Sequence, residues 1–177
     1  MNTKQITFAA LFAALIFIFT FTLKIPVGGA VGYAHLGDMF IIMAAWVLGR
    51  RTAPLAAGLG AALADFASGF AVWIVPTFII KFLMAYIICM IAEKILKERY
   101  AGYIVGTIAG AIFHIAGYLT AWFVIGGKAG VIAAVIPLVL QTVIGLVLGN
   151  VMIAFLNASP TGRRLKTMVR GGLEYEL

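Results

Sequence analysis

The sequence predicts an all-α integral membrane protein: six transmembrane helices in one bundle, with the N and C termini cytoplasmic. Three observations lead there: the composition, the run of apolar stretches along the chain, and the placement of lysine and arginine. Of 177 residues, 64% are hydrophobic and 11% charged, and the mean hydropathy is +1.12. Soluble domains average roughly 45–50% apolar and about 25% charged residues. A chain this apolar cannot enclose its surface in one small soluble core. Its length suits a single domain, residues 1–177. The lone cysteine, Cys89, excludes an internal disulfide and reads as a small buried side chain.

A spanning helix needs about 20 mostly apolar residues. Apolar stretches cover residues 5–23, 36–49, 53–69, 72–92, 102–125 and 131–156. The second and third are short and are joined only by GRRT, so they read as a tight helical hairpin that is bent or does not fully cross alone. The last two are long enough to tilt. No strand alternation of the barrel kind is present. The first apolar run lacks a small-residue cleavage site behind it, so it reads as a span and not as a cleaved signal.

Orientation follows from the basic residues. With both termini inside, the inner side holds Lys4, Arg50, Arg51, Lys94, Lys97, Arg99, Arg163, Arg164, Lys166 and Arg170, including the basic tail 157–177. The outer side holds Lys24 and Lys128, and Lys81 lies within a span. The net charge of +7 is thereby a membrane address, which removes the main argument for nucleic-acid binding.

Ionisable residues inside spans are costly and either line a cavity or pair with one another. Here they are Asp38, Asp65, Lys81 and His114, with Thr77, Tyr118, Gln141 and Asn150 as softer polar groups. At about 1.5 Å per residue, Asp65 lies about 6 Å below the outer surface, Tyr118 roughly 10 Å and Lys81 roughly 13 Å. Gln141 and His114 lie roughly 15 and 16 Å down. Asn150 falls near the inner face, on the opposite side of its helix from Gln141. Trp73, Thr77 and Lys81 recur every four residues and share one stripe; Gly106, Gly110, His114 and Tyr118 share another. A pocket in the outer half, between the last three helices, then has an aromatic wall, a cation and hydrogen-bonding groups. That suits a small, flat, polar ring compound: Trp73 and Tyr118 stack on it, and Lys81, His114 and Gln141 bond its polar edge.

A structural role stands beside each functional one. Lys81 reads equally as the partner of Asp65 in a buried ion pair. Asp38 reads as the cap of the second helix, at the edge of its apolar run. His114 reads as a hydrogen-bonded bundle histidine, and Trp73 as an interfacial belt residue. Tyr33 and His35 lie in VGGAVGYAHLG, either an ordinary loop or one that touches a ligand. In FAALFAALIF, Ala9 with Ala13 and Ala10 with Ala14 lay a smooth strip along the first helix, for packing within the bundle or for docking to another membrane protein.

Taken in order, these features resemble the substrate-binding S component of energy-coupling factor (ECF) vitamin transporters. The matching segments are the paired Ala-x-x-x-Ala strip, the HLGD that opens helix two, the hairpin LGRRTAPLAAGLGAALADFASGF and the following AVWIVPTFIIKFLMA. The resemblance implies a six-helix bundle that captures a vitamin from outside. It implies a complex with a transmembrane coupling protein (the T component) and two cytoplasmic ATPases. It implies that Ala9, Ala10, Ala13 and Ala14 dock on the coupling protein, that residues 27–35 act as a lid, and that the loop at 69–73 closes the other side. HLGD and VWxxPTxxIK look most similar to members handling pyridoxine or the hydroxymethylpyrimidine precursor of thiamine, with riboflavin as the runner-up. The substrate-binding candidates are Tyr33, His35, Asp38, Trp73, Thr77, Lys81, His114, Tyr118 and Gln141, with no cofactor and no metal expected.

The other function classes fare worse. No Gly-x-x-x-x-Gly-Lys-Ser/Thr occurs, so the energy for active transport comes from a partner. Neither His-Glu-x-x-His nor Gly-x-Ser-x-Gly occurs, and no carboxylate pair has a useful spacing, which argues against an intramembrane enzyme. The spans lack an obvious internal repeat or a continuous polar path, which argues against a channel or a stand-alone facilitator.

Overall fold

The computed structural model describes residues 3–26 and 33–171, and is helical apart from one short strand pair. Helix α1 (Thr3–Phe21) is followed by β1 (Lys24–Pro26) and β2 (Tyr33–His35), which pair antiparallel with Lys24 opposite His35. Next come α2 (Gly37–Leu48) and α3 (Ala53–Ala67). A 3-10 turn, Ala71–Trp73, leads into α4 (Ile74–Cys89), which continues as a π-helical segment, Met90–Ile95. The last described elements are α5 (Tyr100–Ala158) and α6 (Pro160–Arg170).

The fifth and sixth stretches expected from the sequence form one 59-residue element broken only at Gly127. Gly127 has φ 60° and ψ −158°, a conformation that only glycine takes without strain. The chain doubles back there. Asn150 Nδ2 donates to Thr107 Oγ1 at 2.9 Å, and the His114 ring meets Thr142 Oγ1 at 2.9 Å. These pairings make limbs 100–126 and 128–158 antiparallel. Asn150 therefore bonds well away from Gln141, as its opposite position on the helix required.

Thr3–Phe21, Ala71–Ile95 and Tyr100–Ala158 are each long and apolar enough to cross a membrane, while α2 and α3 are shorter. The shortness of α2 is matched by its burial: Ile41, Ile42, Ala44, Ala45, Trp46 and Val47 are all enclosed. All but Ile41 pack with Met84 and Ile88 of α4, Tyr103 and Ile153 of α5, and Phe12 of α1, while Ile41 packs with Ile16, Ala57, Ala61 and Ala85. The outside is apolar as well. Leu55, Leu59 and Leu63 on α3, and Val139, Val143, Val147 and Val151 on α5, are exposed in rows at four-residue spacing. Such rows suit a hydrocarbon surrounding. Small residues set the closest approach between helices. A Cβ added at Gly145 would lie 2.6 Å from the Cβ of Asp38, so glycine is what lets the second limb of α5 reach the first turn of α2.

Part of the basic tail is the ordered helix α6. Pro160 occupies its first turn and Ser159 Oγ accepts from the Gly162 amide, a normal helix start. At its far end, Arg170 turns beneath α2. It donates to the carbonyls of Ala45, Trp46 and Val47 at 3.1, 2.7 and 3.4 Å, in the last turn of α2, where carbonyls run out of helical partners; that of Ala45 also accepts from the Gly49 amide at 3.2 Å. Its other nitrogen reaches Glu98 at 2.6 Å and Glu93 at 3.3 Å.

Candidate functional site

A cavity of about 190 Å³ lies at the Gly127 end of the bundle. It is lined by His35, Asp65, Phe70, Trp73, Thr77, Tyr118, Trp122, Ala134, Pro137, Leu138 and Gln141. The aromatic wall comes from two elements. The 3-10 turn ahead of α4 delivers Trp73, and the four-residue repeat of α5 delivers Tyr118 and Trp122. The Trp73 ring lies 6.1 Å from Tyr118 at 29° and 4.6 Å from Trp122 at 48°. Tyr118 is held in place by donating its hydroxyl to Thr77 Oγ1 at 3.0 Å.

Behind this wall lies a buried polar network whose hydrogen-bond directions follow from chemistry. Lys81 is 1% exposed. Its ammonium donates to Asp38 Oδ1 and, at 2.9 Å, to His114 Nε2. An ammonium only donates, so Nε2 is the accepting nitrogen and the proton of the neutral ring sits on Nδ1. Nδ1 donates to Thr142 Oγ1 at 2.9 Å, and Thr142 passes its own proton to the Leu138 carbonyl at 2.7 Å. On the far side, Gln141 Nε2 donates to Asp38 Oδ2 at 3.0 Å. The Lys81 ammonium also lies 5.4 Å from the centre of the Tyr118 ring. The network thus joins α2, α4 and both limbs of α5.

The site residues expected from the sequence fall into three groups. His35, Trp73, Thr77, Tyr118 and Gln141 line the cavity, and Asp65 lines it with them. Lys81, His114 and Asp38 lie behind the wall. The Tyr33 side chain and residues 27–32 of the expected lid are outside the described residues; the described end of that segment, Tyr33–His35, is strand β2. Two pairings differ from expectation. The acid that meets Lys81 is Asp38, not Asp65. Asp38 does not cap α2 either. Leu36 occupies the cap position without a side-chain bond, and the Asp38 carboxylate turns inward to Lys81 and Gln141. The first-turn amide of Gly37 is taken instead by His35 Nδ1 at 3.2 Å. On α1, Ala9 and Ala13 pack against the core while Ala10 and Ala14 are exposed.

Sequence reasoning passed over Trp122, Phe70, Pro137, Leu138 and Thr142. Trp122 was within reach, since it extends the His114–Tyr118 stripe by one more step of four. Leu138 and Thr142 are likewise four apart and flank Gln141. Phe70 carried no signal beyond its place in a loop.

The sequence model of the ECF-type riboflavin transporter S component family matches residues 1–158. A solved structure, the S component for biotin from an ECF-type ABC transporter, superposes with a TM-score of 0.58 at 21% identity, covering 97% of this chain and 96% of that one. That likeness is one of fold. A protein of Pyrococcus woesei, described as an uncharacterized protein in a gap 3′ region, is 36% identical over 62 residues. Those residues are 35% of this chain, and the match spans 41% of that relative's length. With nearly its whole length matched, the chain belongs to the family of ECF-type riboflavin transporter S components, the membrane-embedded, vitamin-binding subunits of ECF transporters.

Proposed function

We propose that this chain captures a small single-ring vitamin or precursor at the outer face of a prokaryotic cytoplasmic membrane, and delivers it inward with a T component and two ATPases. Pyridoxine and hydroxymethylpyrimidine are the favoured cargoes. The observation that carries this reading is the size and lining of the cavity. Pockets for drug-sized ligands run roughly 300–1,000 Å³, and this one is about 190 Å³. One flat ring fits against the wall of Trp73, Tyr118 and Trp122, with His35, Thr77 and Gln141 at its polar edge. Riboflavin, a fused tricycle with a sugar-alcohol chain, is the second reading, and the family description favours it.

The chain crosses six times in this reading, with α2 and α3 as short spans and the two limbs of α5 as one each. Both termini are cytoplasmic. Arg50, Arg51, Lys94, Lys97, Arg99 and the arginines of α6 gather at the Arg170 end, which the positive-inside rule puts in the cytoplasm. Cysteines introduced at Lys128 and at Arg164 in a Cys89→Ala background test this. An impermeant maleimide added to intact cells should label only the first, and labelling of the second alone inverts the topology.

Cargo is tested by mass spectrometry of the purified protein, then calorimetry with pyridoxine, hydroxymethylpyrimidine and riboflavin. Tight binding of a single-ring compound, weakened by Trp73→Ala, is the expected result. Tight binding of riboflavin alone moves the cargo to the second reading. Gentle detergent purification should bring down a T component and ATPases, and substituting Ala10 and Ala14 with leucine should release them.

A further inference from the structure

We propose that Gln141 is the specificity residue of this cavity, fixed as a hydrogen-bond acceptor, so that the site selects a ring that presents a donor, a hydroxyl or amine, at that point. The inference rests on the reading of the cavity as the cargo site. Gln141 belongs to both layers of the structure. It lines the cavity, and its Nε2 donates to Asp38 Oδ2 at 3.0 Å. An amide can turn over and exchange its nitrogen and oxygen in most settings. It cannot do so here. Asp38 is ionised beside the Lys81 ammonium and only accepts, so an oxygen turned toward it would meet another oxygen.

The other arm of the amide therefore carries Oε1, and no donor among the described residues bonds to it. Gln141 is 7% exposed, and the opening beside it is the cavity. A cargo that sets a hydroxyl or amine against Oε1 completes the amide. A cargo that sets an ether, a ring nitrogen or a fluorine there leaves two acceptors facing each other. Sites built around one buried polar contact reject analogues lacking the matching group far more strongly than sites that read shape. Lys81 and His114 act through this arrangement without touching cargo. They are positioning residues, and their charge and tautomer keep Asp38 an acceptor.

The test is a ligand series read by calorimetry. The single-ring cargo is compared with analogues in which each hydroxyl and each amine is replaced, one at a time, by fluorine, which removes the donor at little change in size. Wild-type protein should lose about tenfold or more in affinity for one analogue. Gln141→Met should bind that analogue and its parent within about threefold of each other. If every fluoro analogue binds wild-type protein as well as its parent, the inference is overturned without any variant. It is also overturned if the discrimination persists in Gln141→Met, which assigns the donor to another wall residue. Absence of binding by any single-ring compound to wild-type protein removes the cargo reading and this inference with it.

Discussion

Helix α2 is held by ions at both ends, and the two ends are built on opposite principles. In its first turn Asp38 meets Lys81 in a sealed site, where both side chains are 1% exposed. At its last turn Arg170 caps the terminal carbonyls and pairs with Glu93 and Glu98, where side-chain exposures run from 12 to 28%. Both arrangements suit the helix dipole, an acid at the N-terminus and a base at the C-terminus. They differ in what backs them up. The sealed site is completed by His114 and Gln141 and has no water to fall back on. The Arg170 site is partly exposed and has a second base, Lys166, on Glu98 at 2.6 Å. The first is therefore brittle and specific, and the second is tolerant. The brittle end is also the one that abuts the cavity.

The largest effect that separates the two ends is expected from Lys81→Met. It strands the Asp38 carboxylate in a dry site, at a cost of about 3–5 kcal/mol. Thermal unfolding in detergent should fall sharply. The double substitution Lys81→Met with Asp38→Asn removes both charges and should recover most of the loss. A double variant as unstable as the single one would mean that shape, and not charge, holds this end. At the other end, Arg170→Met should cost about 1–3 kcal/mol through the lost bonds to carbonyls and carboxylates. Part of that cost should vanish in 1 M salt, where charges are screened beyond about 3 Å. The Lys81→Met cost should not change with salt, and equal salt sensitivity at both ends would erase the distinction between them. A smaller effect, on affinity alone, is expected from Trp122→Ala. Losing one ring from the stack should weaken cargo binding by about tenfold, with unfolding unchanged.

How much of this was legible in the sequence divides along the same line. The spans and the stripes Trp73–Thr77–Lys81 and His114–Tyr118 could be read because helical spacing is local. Five of the nine expected site residues do line one cavity: His35, Trp73, Thr77, Tyr118 and Gln141. The partner of Lys81 could not be read. Depth places Asp38 and Asp65 in the same half of the membrane. Which one faces Lys81 depends on how α2 and α3 are rotated about their axes. That rotation is set by distant contacts such as Gly145 against Asp38. The strand pair was hidden because KIP and YAH are too short to reveal an alternation. The role of Arg170 was hidden because its targets are main-chain carbonyls, which no side-chain pattern announces. Gly127 was in plain view within GGK, yet a one-residue reversal between two long helices is rarer than a loop, and a loop was the natural reading.

The smallest expected effect concerns the tolerant end and has a definite sign. Burial raises the pKa of Glu98, but the Arg170 guanidinium, followed by Lys166 and the Tyr103 hydroxyl, outweighs burial and leaves the carboxyl below its ordinary 4.5. A carboxylate whose pKa is lowered by folding contributes its full stabilisation above the unfolded value and loses it as pH falls through the folded one. The difference in unfolding temperature between wild-type protein and Glu98→Gln should thus hold steady from pH 7 to about 5 and shrink below about 4.5. A difference that stays constant down to pH 3 would mean that Glu98 acts through its shape alone. A difference that grows on acidification would mean that the carboxyl is protonated more readily in the folded chain, and that Arg170 spends its charge on the carbonyls of α2 and not on Glu98.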